Sequence, residues 1–155
     1  MTDSSPSGDI PGSGIPYRRQ YLIVPREVRV PPHPSLAAHA FAGHEIHVGA
    51  DLSLSTAIRG DTHVAVLGEA IDPTRPDRDN RAIADSLAQS ADAADLQASA
   101  FRLAGRFVVF ARIRGRNICF ADACGFRRVY HGRIAERVIA TSSRAETSAT
   151  SISTS

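Results

Sequence analysis

The strongest constraint on the fold is a run of five consecutive apolar residues, 107–111, within the segment GRFVVFARI. Successive side chains of a strand point to opposite faces of the sheet, so a strand that is apolar on both faces has to be covered on both. The run is also far shorter than the roughly 20 residues that a membrane-spanning helix needs. We therefore predict a central strand with other layers above and below it.

The residues that follow predict antiparallel pairing. The tripeptide Arg114-Gly115-Arg116 is a candidate hairpin turn, after which residues 117–121 pair back. The segments RVYHG and RVIATS predict a second hairpin with RIAE at its tip. We therefore predict that the C-terminal half of the chain forms a meander of strands.

Upstream, strands are predicted at residues 20–24, 44–48 and 62–68, where the sequence reads QYLIV, HEIHV and THVAVLG. A helix is predicted from Asp79, a candidate N-cap, because Ile83 and Leu87 recur at helical spacing. A second helix is predicted at 92–101. This order of elements predicts an α+β domain with helices packed on a largely antiparallel sheet.

Both ends of the chain have the composition of disordered segments. Residues 1–17 carry three prolines and three glycines, and residues 144–155 are rich in serine and threonine. We expect disordered tails at 1–19 and 144–155 around an ordered domain at 20–143. The N-terminal segment has no apolar stretch typical of a secretory signal, so we expect a cytoplasmic protein that does not bind membranes.

Three C-terminal segments, LAGRFVVFAR, ICFADACGFRRVYHG and VIATSS, resemble the end of the glutaminase-like domain of asparagine synthetases. Upstream, THVAVLGEAID and RDNRAI are similar to that family's strand and following helix. The positions that match the family are Leu103, Gly105, Phe107, Asp122, Gly125, Tyr130, Ala140 and Ser142, with Gly68, Glu69 and Asp79 upstream.

The resemblance implies a class II glutamine amidotransferase domain with the N-terminal-nucleophile hydrolase fold. That fold is an αββα sandwich with largely antiparallel sheets, which we expect here in an incomplete form. The resemblance also implies that Gly68, Glu69 and Asp79 are vestiges of a glutamine-binding site, so glutamine is a candidate ligand. Glu69 and Asp79 have a simpler alternative role, as an exposed charge and a helix cap.

Four other matching residues suit a structural motif. Asp122 is suited to accept backbone N–H groups in a turn, and Gly125 to adopt a positive φ. Tyr130 can bury its ring while its hydroxyl group finds a partner. We assign Asp122, Gly125 and Tyr130, together with Gly105, a structural rather than a catalytic role.

The chain departs from the family at the positions that carry the chemistry. The family uses an N-terminal cysteine, whereas this chain has Thr2, 18 residues ahead of the first predicted strand. Leu67 stands where the family has its oxyanion-hole asparagine, and Asp51 where it has the arginine that holds the glutamine carboxylate. The Ser-Gly-Gly-x-Asp-Ser loop that binds ATP is absent from the sequence.

These departures predict a degenerate, non-hydrolysing domain, from a truncated or split member of the family, without catalytic residues and without a cofactor. Its expected role is structural, docking on an ATP-dependent synthetase-type partner. Two alternatives stay open: an active subunit of a split asparagine synthetase-like enzyme, and an arginine-rich nucleic-acid-binding module.

Neither metal binding nor nucleic-acid binding is favoured by the remaining residues. His39, His44 and His47 lie within nine residues, but their spacing fits no known zinc loop. Cys119 and Cys124 suit a core position and a turn rather than a redox pair. The net charge is only +2. RNA-binding surfaces also need aromatic side chains on which bases stack, and few aromatic residues lie between the arginines of the meander.

Overall fold

The computed structural model describes residues 19–30, 32, 34–134 and 137–142. These residues form nine strands and two helices. The strands are β1 (Tyr21–Pro25), β2 (Leu36–Phe41), β3 (His44–Gly49), β4 (Leu54–Arg59), β5 (Thr62–Ile71), β6 (Ala104–Ile113), β7 (Arg116–Ala121), β8 (Tyr130–Ile134) and β9 (Arg137–Thr141). The helices are α1 (Asn80–Leu87) and α2 (Ala93–Ala100).

The strands form two sheets. One sheet has five strands in the order β2-β3-β1-β9-β8, and the other has four strands in the order β4-β5-β6-β7. Every pairing between the described strands is antiparallel. The four-stranded sheet is a simple meander interrupted by the two helices, whereas in the five-stranded sheet the first described strand, β1, lies between β3 and the last one, β9.

The four-stranded sheet is the central layer. One of its faces packs on the five-stranded sheet, where Tyr21 and Ile23 share a core with Leu67 and Phe110. Its other face packs on the helices through a second core, to which Val109 belongs. The prediction that residues 107–111 are covered on both faces is therefore confirmed.

The prediction of an αββα sandwich is wrong. The described part of the chain is β-rich, and its only helices are the two eight-residue helices on one face of the four-stranded sheet. The outer face of the five-stranded sheet is covered by the irregular segment after β1, where Val28 and Val30 pack on Val24 and Ile139. Helical periodicity is confined to the segment between β5 and β6, so nothing forms a helical layer on that second sheet among the described residues.

The predicted strands and helices within the described residues are confirmed, whereas β2 and β4 were not predicted. Asp79 is the N-cap of α1, since its side chain accepts the backbone N–H of Ala82 at 2.8 Å. Neither helix of this part of the chain is long and apolar enough to cross a bilayer. The predicted tails, including Thr2, lie outside the described residues, except for Arg19. Residues 135 and 136, between β8 and β9, also lie outside them.

Candidate functional site

The carboxylate of Asp122 holds the segment after β7 in place. Asp122 is buried, with 5% of its surface exposed. Its Oδ1 accepts the backbone N–H groups of Cys124 at 3.1 Å and of Phe126 at 3.0 Å, and its Oδ2 accepts that of Arg127 at 3.0 Å. A charged acceptor with three backbone donors is a strong local restraint. The turn role expected of Asp122 is confirmed.

Gly125 lies in this segment, residues 122–128, which we name the 122–128 loop, and Tyr130 follows it at the start of β8. Gly125 has a φ of +65°, and its N–H donates to the carbonyl of Asp122 at 2.9 Å. Tyr130 is half-buried, and its hydroxyl group accepts from Nη1 of Arg128 at 3.2 Å. The positive φ and the hydroxyl partner are both as predicted from the sequence.

The loop presents Phe126 to solvent. The side chain is 64% exposed, although the backbone N–H of the same residue is fixed by Asp122. The guanidinium carbon of Arg106 lies 5.5 Å from the centre of the Phe126 ring, within range of a cation–π interaction. Arg128 is also exposed. The exposed ring of Phe126, with Arg106 over it and Arg128 nearby in sequence, is therefore carried by a restrained backbone. This restraint opposes a rearrangement that would bury the ring.

Arg127, the next residue, points back into the protein. Its Nη1 donates to the carbonyl of Arg19 at 3.0 Å, and its Nε donates to the carbonyl of Arg106 at 3.4 Å. Loss of hydration lowers the pKa of this guanidinium from its usual value. The arginine thereby ties the start of β1 to the beginning of β6.

Two glycines let β5 and β6 approach each other beside Arg127. Gly68 has a φ of +97°, and a Cβ there would overlap the backbone oxygen of Arg106. Gly105 has a φ of +115°, and a Cβ there would overlap the backbone oxygen of Glu69. Only glycine fits either position without moving the backbone. Gly105 thus has the structural role expected of it.

A small polar cluster, which the sequence did not reveal, surrounds the carbonyl of Gly68. Nδ2 of Asn80 donates to this carbonyl at 2.7 Å, while Oδ1 of Asn80 accepts the N–H of Ala70 at 3.0 Å. Oγ of Ser53 lies 2.8 Å from the same carbonyl and 2.8 Å from Oε1 of Glu69. Asn80 is the first residue of α1, directly after the N-cap Asp79. This position at the start of a helix is the single local sequence signal for its bonds to the backbone of β5.

The residues predicted as vestiges of a glutamine site are only partly brought together. Gly68 and Glu69 lie in this cluster, and Glu69 is exposed with Ser53 beside it. Asp79 precedes Asn80, but its carboxylate caps α1. Leu67 is fully buried in the core between the sheets, and Asp51 is exposed in the turn after β3. Because the side chain of Leu67 is apolar, it cannot donate a hydrogen bond to an oxyanion.

No group of three or more metal-ligating side chains comes together within the described residues. Cys119 and Cys124 are both free thiols rather than a disulfide. Burial raises the pKa of the Cys119 thiol to about 12, whereas the side chain of Cys124 is exposed. Cys119 is therefore protonated and unreactive at neutral pH.

Several arginines of the meander are used within the protein. Arg112 donates to the carbonyl of Ala42 at 3.2 Å, Arg127 to two other carbonyls, and Arg128 to Tyr130. The guanidinium groups of Arg112 and Arg127 therefore support the backbone, whereas that of Arg128 stays on the exposed surface beside Tyr130.

Comparisons of this chain with protein-family models, with curated proteins and with solved structures found no match.

Proposed function

We propose that this chain is a non-hydrolysing interaction domain, related to the glutaminase domain of asparagine synthetases, that docks on an ATP-dependent synthetase-type protein. The relationship rests on the matched residues of the C-terminal half, and the docking role on the 122–128 loop. In this proposal the protein works in the cytoplasm, in keeping with its two free thiols.

The observation that carries the docking role is the exposure of Phe126 on a restrained backbone. Asp122 fixes the loop by three hydrogen bonds, yet the ring of Phe126 remains 64% exposed. Binding to a preformed loop avoids most of the entropy cost of ordering it. Aromatic and arginine side chains are the types that dominate binding energy at protein interfaces.

The charges around Phe126 define the partner surface. Arg106 lies over the ring, Arg128 is exposed two residues further along the chain, and the one carboxylate of the 122–128 loop, that of Asp122, is buried. A complementary partner presents an apolar pocket that receives the ring and carboxylates at the pocket's rim.

The absence of hydrolysis follows from how the matched positions are used. Leu67 offers no hydrogen-bond donor, and removing one oxyanion-hole donor typically costs about 100- to 1,000-fold in rate. The carboxylate of Asp79 is committed to the cap of α1. At these two matched positions the side chains therefore serve the core and the start of α1.

A glutamine hydrolysis assay on the full chain tests this part of the proposal. We expect no glutamate release above the buffer rate, and the same result for Thr2→Ala. Turnover by the wild-type chain that is lost in Thr2→Ala would show an active amidotransferase and would exclude a non-hydrolysing domain. The candidate partner is sought as a neighbouring reading frame that encodes Ser-Gly-Gly-x-Asp-Ser, the loop that this chain lacks.

A further inference from the structure

A cavity of about 370 Å³ opens between the two sheets, on the side where β7 and β8 are the edge strands. Its volume falls near the lower end of the range of about 300–1,000 Å³ that is usual for small-molecule sites. The cavity is separate from the 122–128 loop and from the polar cluster at Asn80, since neither contributes a lining residue.

The cavity arises from side-chain sizes in two facing rows. Within each row the residues pair across neighbouring strands, and residues of both rows share the core between the sheets. Across the five-stranded sheet the row is Ile46, Ile23, Ala140 and His131; across the four-stranded sheet it is Ala65, Phe110 and Cys119.

Large side chains fill the part of this core between the inner strands of the two sheets. Small side chains line the part next to the edge strands β7 and β8. Ile23 and Ile46 are fully or almost fully buried, and Phe110 lies opposite them. Towards the edge, the rows continue with Ala140 and Cys119, whose small side chains leave space between the sheets. His131 follows Ala140 and lines the mouth of the cavity.

The lining of the cavity includes the neutral imidazole of His44. The ring of His44 meets the ring of Phe110 edge-on, with centroids 4.9 Å apart. Burial lowers the pKa of His44, so the ring is uncharged at neutral pH. Its Nδ1 lies 3.3 Å from the carbonyl of Ala42, and donation there leaves Nε2 as an acceptor.

We propose that this cavity binds a small, uncharged aromatic molecule that carries one hydroxyl group, a ligand of the phenol class. The lining supports an uncharged ligand, because no carboxylate and no guanidinium of the described residues contributes to it. It supports an aromatic ligand, because the lining includes the ring of Phe110, against which a second ring can pack, next to the small side chains of Cys119 and Ala140. His44 supplies the acceptor for the hydroxyl group.

The first test is a titration of the full chain with phenol, followed by amide chemical shifts. We expect saturable changes concentrated at Phe110, Cys119 and Ala140. Benzoate, which has the same ring and a negative charge, should bind at least tenfold more weakly. Absence of saturable changes, shifts confined to residues outside the cavity, or equal affinity for benzoate would each overturn the proposal.

Variants that fill the cavity provide the second test. Cys119→Leu should weaken phenol binding at least tenfold, whereas Cys124→Leu, at the exposed cysteine, should leave the affinity unchanged. Ala140→Val narrows the cavity from the opposite sheet and replaces Cys119→Leu if that variant does not fold. Unchanged affinity in a folded cavity-filling variant would show that phenol binds elsewhere.

Discussion

Oδ2 of Asp122 accepts the backbone N–H of Arg127 at 3.0 Å, and the side chain of Arg127 is half-buried. From that position the guanidinium reaches the carbonyls of Arg106 and Arg19. The buried carboxylate of Asp122 thus holds the backbone of two neighbouring residues. The side chain of Arg127 turns inwards and connects β1 with β6, while the side chain of Phe126 points outwards. The stability of the loop and its proposed docking role depend on the same residue.

Replacing Asp122 by alanine should lower the free energy of unfolding by at least about 3 kcal/mol, because one bond to a charged acceptor contributes up to about 3 kcal/mol and three such bonds are lost together. Asp122→Asn should cost less, because its carbonyl oxygen can still accept two of the three donors. Urea denaturation gives the values, with Asp77→Ala at an exposed position as the control. Equal stability of Asp122→Ala and Asp77→Ala would contradict the role of Asp122.

Glycine should be required at positions 68 and 105 but not at every position with positive φ. We expect Gly68→Ala and Gly105→Ala to cost about 3 kcal/mol or more, because the added Cβ overlaps a backbone oxygen in each case. Gly60 also has a positive φ, of +54°, but its surroundings are open. Gly60→Ala should therefore cost only about 1 kcal/mol. Similar losses at all three sites, measured by urea denaturation, would argue against the close approach of β5 and β6.

Stability should fall in alkaline solution because of Cys119. Burial raises the pKa of this thiol from 9.0 to about 12, so above about pH 9 the unfolded chain loses a proton that the folded chain keeps. The unfolded state then binds fewer protons, and the free energy of unfolding decreases as the pH rises towards 12. Cys119→Ala removes this contribution. Denaturation midpoints measured from pH 8 upwards should therefore fall less steeply in the variant; identical slopes would show that the folded chain does not keep the proton of this thiol.

Local sequence patterns predicted much of the fold. The apolar run at 107–111 indicated a strand covered on both faces, Asp79 indicated a helix start, and Asp122 indicated a turn held by a carboxylate. Each of these features depends on residues close together in sequence. β2 was missed because LAAHAF is rich in alanine, which has little preference for strands, and the strand forms through its pairing with β3.

The wrong part of the fold prediction, the second helical layer, came from the family resemblance rather than from periodicity. The residues that cover the five-stranded sheet, Val28 and Val30, lie in a segment whose neighbouring prolines indicate only irregular structure. The polar cluster was not predictable either, because Ser53 and Asn80 are 27 residues apart and meet only through the tertiary fold. The cavity likewise depends on the strand pairings that place Ala140 beside Ile23 in one sheet and Cys119 beside Phe110 in the other.

The measurement that tests the proposed docking role most directly is a calorimetric titration of the full chain with a synthetase-type protein that carries the Ser-Gly-Gly-x-Asp-Ser loop. Phe126→Ala should weaken binding at least tenfold, equivalent to about 1.4 kcal/mol, without changing the stability of the chain. Ile58→Ala, at a side chain that is 63% exposed on β4, should bind like the wild type. No binding by the wild-type chain, or equal affinities for Phe126→Ala and the wild type, would contradict the account.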